Sequence, residues 1–157
     1  MSADLFLSPD ARHESLRDFP LVVRLPIHWG EQDSFGHANN VSYLRWCETS
    51  RVYYLERIGL KAERNPAGVG PILASLDCNF RRPVTFPDIV QVGSRVTGIG
   101  NSSFRMEHSV VSENLSAVVA ESGSTLVVLD YSSGKSVRVP DEVRKAIVAL
   151  EGRELGA

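Results

Sequence analysis

Cysteine is scarce in this 157-residue chain: there are two, Cys47 and Cys78, with no Cys-x-x-Cys spacing. Both lie in apolar-patterned segments, so they read as reduced core residues, which excludes a disulfide framework and a thiolate metal site. A dominant charge is missing as well. The 17 basic and 19 acidic residues give a net charge of -2 without a long run of either sign, which excludes the electrostatic footprint of a nucleic-acid binder. No apolar run is long enough to cross a bilayer, and the N-terminus lacks the basic segment and apolar core of a secretion signal. A cytoplasmic protein with no membrane or nucleic-acid partner is therefore expected. Gly-x-Ser-x-Gly is absent, and the four histidines show no His-x-x-x-His or similar spacing. Neither a serine nucleophile elbow nor a metal or other cofactor is expected.

What is present suits one domain with a single core: 43% of the residues are hydrophobic and 8% aromatic. Residues 1–19 are polar and unpatterned and read as a loosely held arm, with the domain spanning 20–157. The segment 21-LVVRLPIHW-29 alternates like a strand, with Pro26 implying an edge or a bulge. Over 41–58, Val41, Leu44, Cys47, Val52, Leu55 and Ile58 fall at three- and four-residue steps, with Trp46 and Tyr54 widening the stripe. That spacing predicts a helix of about five turns. An asparagine at 39 or 40 is its N-cap and Gly59 its left-handed stop.

Beyond the Pro/Gly-rich loop 65-NPAGVGP-71 the period changes to two. Leu76, Cys78 and Phe80 share one face of a strand, Val90, Val92 and Val96 one face of the next, and Phe104, Met106, His108 and Val110 one face of a third. The stretch 117–131 is apolar on both faces, as in a strand covered on both sides. A short amphipathic helix opens at Pro140. The order predicts an α+β domain, an antiparallel sheet of about five strands wrapped around a long central helix.

The helix is preceded by 33-DSFGHANN-40, and the run 29–60 around it resembles the signature of the hotdog-fold acyl-CoA thioesterases related to 4-hydroxybenzoyl-CoA thioesterase. The later segments RRPVTFPDIVQV and GNSSFRMEHSV extend the resemblance from about residue 22 to residue 131. It implies a homodimer or dimer of dimers with active sites between protomers, and hydrolysis of acyl-CoA to free acid and coenzyme A. Acyl-carrier-protein thioesterases carry a similar His-x-Asn-Asn run and are the nearer alternative. A non-catalytic acyl-CoA-binding domain is another, which the presence of Asp33 opposes. Hotdog dehydratases fit less well, because they resemble Asp-x-Asn-Pro-x-His and His37 follows Asp33 by four residues without a proline.

The same residues suit the chemistry without the family name. Thioester hydrolysis needs a carboxylate that activates or replaces water, and donors for the charge that develops on the carbonyl oxygen. Asp33 is the candidate carboxylate, as general base or as nucleophile. The first helical amides, of Asn40 and Val41, are candidate oxyanion donors because a helix start leaves amides without intrahelical partners. Gly36 permits the tight turn and close approach of the acyl group. His37 either polarises the carbonyl or bonds to backbone, and Asn39 and Asn40 are read chiefly as caps. Arg81 and Arg82 could meet coenzyme A phosphates, and Ser102 and Ser103 could touch the pantetheine arm. Glu48 and Arg51 stand at ion-pair spacing on the helix, while His28 and His108 read as structural.

Overall fold

In the computed structural model, which describes residues 5–60 and 68–156, one long helix lies against a curled antiparallel sheet. Residues 1–4 of the expected arm and 65–67 of the expected loop fall outside the described residues. The helix α1 runs Asn40–Arg57, and Asn39 caps it by accepting the Val41 amide on its side-chain oxygen at 2.9 Å. Gly59 follows with φ of 83°, the left-handed stop that its lack of a Cβ allows.

The buried face of α1 differs from the apolar stripe read in the sequence. Tyr43, Trp46, Cys47, Ser50, Arg51, Tyr54 and Leu55 are buried, while Val41 is 54% exposed. Ser50 can occupy this face because the sheet offers it partners. Ser50 donates to the Val92 carbonyl at 3.2 Å, and Ser94 joins Ser50 at 2.6 Å to His108 Nδ1 at 2.7 Å. Arg51 does approach Glu48, but only to 4.0 Å, and its own side chain is buried with Nη1 lacking a hydrogen-bond partner among the described residues. His108 is buried as expected, and burial, with Arg51 nearby, pushes its pKa down to about 3.

Among the described residues six strands form the sheet: β1 Leu21–Pro26, β2 Val69–Phe80, β3 Ile89–Ile99, β4 Ser103–Ser112, β5 Ala117–Asp130 and β6 Lys135–Ser136. The order is β1-β3-β4-β5-β2, with the short β6 added to β5, and every strand pairing among the described residues is antiparallel. Pro26 ends the edge strand β1, where a missing amide costs no ladder bond. Phe104, Met106, His108 and Val110 form one buried row, and Val90, Val92 and Val96 another. β5 is not buried on both faces as its composition suggested: Val119, Ala120, Leu126 and Val128 all pack into the larger core, whereas Val127 and Leu129 on the other face are only partly covered. The closing helix α2, Asp141–Glu151, takes Pro140 as its N-cap and buries Val143 and Ile147. Its Glu151 accepts from the Tyr54 hydroxyl and from the Val96 amide at 2.6 Å, joining both helices to β3.

Residues 5–19 are held, in contrast to the loose arm expected from their polarity. Leu16 is fully buried and Phe19 nearly so, and with Val22 and Val111 they make a second, smaller core on the sheet's other face. Gly93 permits that contact, since a Cβ there would meet the Phe19 ring at 2.7 Å and Leu16 at 2.9 Å. Few but well-spaced apolar residues anchor this segment, which is why average composition concealed it.

Candidate active site

The loop before α1 is tied to the rest of the molecule by its backbone. Asp33 N–H donates to the His37 carbonyl at 2.9 Å, and Gly36 N–H to the Asp33 carbonyl at 3.1 Å. Gly36 has φ of 79°, so the tight turn requires a conformation that residues with a Cβ rarely adopt. Asp33 Oδ1 accepts the Phe35 amide at 2.8 Å, an Asx turn that fixes the carboxylate and leaves Oδ2 without a hydrogen-bond partner among the described residues.

Glu31, which the sequence reading did not weigh, joins this loop to the helix. Its carboxylate accepts from the Trp46 indole at 3.0 Å and the His28 amide at 2.7 Å, while its carbonyl accepts the Asn39 amide at 2.8 Å. A further bond runs from the Ala38 amide to the Val84 carbonyl at 2.7 Å. That bond brings the end of β2 and the residues after it beside the helix start.

The result is an open depression of about 410 Å³ lined by Asp33, His37, Ala38, Asn40, Tyr43, Phe80, Arg81, Arg82 and Pro83. Five of the residues singled out in the sequence, Asp33, His37, Asn40, Arg81 and Arg82, thus share one wall-to-wall space. Gly36 and Asn39 shape the turn and cap beside it. Ala38, Tyr43, Phe80 and Pro83 supply the apolar lining and were not foreseen as site residues. Tyr43 could have been found, since it lies three residues after Asn40 on the same side of the helix.

Two expectations change in detail. The Val41 amide is taken by Asn39, so the first-turn amide without a hydrogen-bond partner among the described residues is that of Asn40. Ser102 and Ser103 are not brought to this depression within the chain. Ser103 pairs with Val127 and Phe80 with Ala120, positions seven residues or roughly 23 Å apart along β5. The two arginines also differ. Arg81 is engaged by Glu121 at 2.8 Å, whereas the Arg82 guanidinium is exposed with no hydrogen bond or ion pair among the described residues. Cys47 is buried and free, and burial pushes its thiol up to about 12, which removes it as a nucleophile near neutral pH.

A helix start, a carboxylate on the preceding turn and a curled sheet around the helix together define a hotdog thioesterase fold. The chain belongs to the thioesterase-like superfamily, whose family model matches residues 27–147. It is similar to a thioesterase from Thermus thermophilus solved in complex with coenzyme A and Zn, at 32% identity and a TM-score of 0.76 over 88% of this chain and 98% of that one. It is also 24% identical to the long-chain acyl-CoA thioesterase FadM of Escherichia coli, over 81% of this chain and 96% of FadM. A chloroplastic acyl-acyl carrier protein thioesterase of Arabidopsis thaliana is 26% identical over 80% of this chain and 66% of its own length.

Proposed function

We propose that the protein hydrolyses acyl-CoA thioesters in the cytoplasm, in the manner of the 4-hydroxybenzoyl-CoA thioesterase-like enzymes. The observation that carries this reading is the meeting around one depression of Asp33, the helix-start amide of Asn40 and the Arg82 guanidinium, the latter two without a hydrogen-bond partner among the described residues. The thioester carbonyl oxygen sits at the Asn40 amide, where the helix dipole and the free N–H stabilise it as it becomes an oxyanion. Such a donor is typically worth about 3 kcal/mol of barrier. His37, whose imidazole has no hydrogen-bond partner among the described residues, lies at the same wall and polarises the carbonyl.

Asp33 supplies the remaining step in one of two ways. As a base it takes a proton from water, the hydroxide adds to the carbonyl carbon, and collapse of the oxyanion breaks the C–S bond and releases the thiolate. As a nucleophile it adds directly, expels the thiolate and forms an anhydride that water then cleaves to the free acid. A thiolate is a stable leaving group, so neither route needs a strong general acid. Arg82 binds a coenzyme A phosphate, with Arg81 as the outer, carboxylate-paired neighbour.

A homo-oligomer is part of this reading. The edge strand β2 leaves a line of unpaired ladder groups, with Val69 and Ile72 exposed beside them, that β2 of a second copy would pair. Its β2 running antiparallel would also bring the partner's turn between β3 and β4 toward the first copy's depression, the setting in which Ser102 and Ser103 reach the pantetheine arm.

Release of free thiol from a panel of acyl-CoAs, followed with a thiol-reactive dye, tests the activity. Steady turnover supports it, and tight binding without turnover turns the reading into a sensor. Preference for acylated carrier protein over acyl-CoA would move it to the carrier-protein enzymes. Light scattering should find at least a dimer, and a fully active monomer would remove the oligomer from the proposal.

A further inference from the structure

We infer that the ring pair Tyr43–Phe80 closes the inner end of the depression and limits the enzyme to short acyl groups, an inference that rests on the thioesterase reading above. The rings stand edge to face, with centroids 5.3 Å apart and planes at 83°. One belongs to α1 and the other to β2, so together they bridge the gap between helix and sheet at the depression's apolar end.

Room for an acyl group is set by where its carbonyl lies. With the oxygen at Asn40, Tyr43 is three residues further on, a rise of about 4.5 Å along the helix axis. Tyr43 cannot swing aside freely. It is 3% exposed, its hydroxyl donates to the Arg82 carbonyl at 3.3 Å, and Trp46 packs on it with centroids 4.9 Å apart. Beneath it the helix face is closed by Trp46 and Cys47, both buried. A chain that enters beside Asn40 therefore meets a ring after a few carbons and finds no path under the helix.

The other direction is along β2, and Phe80 stands across it. Phe80 pairs with Ala120, Cys78 with Ser122, Leu76 with Ser124 and Leu73 with Leu126, so these four β2 side chains lie on the same face, toward α1. Leu73 and Leu76 are about two-fifths exposed. They form an apolar track that would suit a long chain, and the Phe80 ring separates it from the depression. Phe80 itself is 49% exposed, so its bulk is poised at the boundary and is not part of the packed core.

The test is the ratio of kcat/KM for butyryl-CoA to that for dodecanoyl-CoA, measured on the full chain and on Phe80→Ala. The wild type should favour butyryl-CoA by at least about tenfold, since rejection of a few methylenes by a closed pocket reaches that size. Phe80→Ala should lower the ratio by about tenfold or more, chiefly by raising kcat/KM for dodecanoyl-CoA as the track over Leu76 and Leu73 opens. Phe80→Leu removes the ring but keeps apolar bulk, and it should give the same shift at smaller size should the alanine variant not fold. A wild type that hydrolyses dodecanoyl-CoA as well as butyryl-CoA overturns the inference and leaves the thioesterase reading standing. So does a folded Phe80 variant with an unchanged ratio. Absence of hydrolysis with every acyl-CoA overturns both.

Discussion

The two edges of the sheet are managed in opposite ways. At β1 the chain covers its own edge: the Leu7 amide donates to the Val22 carbonyl at 3.1 Å, the Arg24 amide to the Leu5 carbonyl at 2.8 Å, and Phe6 bridges to Val23. Arg24 and Glu113 add a two-bond ion pair at 2.8 Å across the same side. At β2 the described residues provide no such cover, and the row Leu73, Leu76 and Phe80 is left in contact with solvent, with Ile72 exposed on the opposite face. An edge satisfied within the chain can only contribute stability, whereas an edge left open can also contribute a boundary for ligand or partner. The candidate site lies at the end of the open one, where Phe80 through Pro83 meet the helix start.

Substitutions should therefore divide by edge, with activity lost near β2 and stability lost near β1. The largest effect is expected at Asp33. Asp33→Asn should lower kcat/KM by at least about a hundredfold while the asparagine side chain still accepts the Phe35 amide, so thermal unfolding should hardly move. Near-normal turnover would remove Asp33 from the mechanism and with it the contrast between the edges.

Gly93→Val, on the face covered by residues 5–19, should do the reverse. Its side chain has to displace Phe19 and Leu16, at a cost of about 1–3 kcal/mol. Activity per folded molecule should persist, measured well below the lowered Tm. A stable variant with impaired kcat/KM would mean that the covered face communicates with the site.

The buried cluster between the edges sets the acid limb of stability. His108 is held neutral by burial and by Arg51, with its pKa well below the ordinary value of 6.5, so the unfolded chain takes up a proton before the folded one does. Stability is full above that ordinary value and falls with pH down toward about 3, by up to about 1.4 kcal/mol per pH unit. Urea unfolding between pH 7 and pH 4 should show the slope, and His108→Gln should flatten it. An unchanged slope would assign the acid limb to other groups.

The smallest effect is expected at the cap. Asn39→Ala removes the bond to the Val41 amide and should cost about 1 kcal/mol of stability, with a lesser direct loss of turnover. Gly36→Val should behave in the opposite sense, impairing turnover more than stability, since its positive φ serves a turn beside the site. Thermal unfolding and kcat/KM on both variants check the division. Loss of activity in Asn39→Ala without loss of stability would make Asn39 part of the chemistry.

Local signals were legible in the sequence because they act between near neighbours. Cap, helix and left-handed glycine over 39–59 follow from side-chain reach and backbone freedom within a few residues. Alternation over β3 and β4 named the buried faces correctly, since a strand's period of two depends only on the strand. The turn of Asp33, Gly36 and His37 was equally visible, being closed by bonds among its own residues.

Tertiary structure decided what periodicity cannot encode: which strand lies beside which, and which helix face meets the sheet. The apolar stripe through Val41 and Val52 lost to one containing Ser50, for which Val92 and Ser94 supplied hydrogen-bond partners from β3. Arg81 and Arg82 were separated from Ser102 and Ser103 by the pairing of β5 with both β2 and β4, although both pairs resembled ligand contacts in the sequence. Phe80 became a wall of the site through one backbone bond, Ala38 to Val84, and through the ring of Tyr43. A hydrophobic residue on a strand specifies that it will be buried or covered; its partner is chosen only when loop closure and sheet order bring distant segments together.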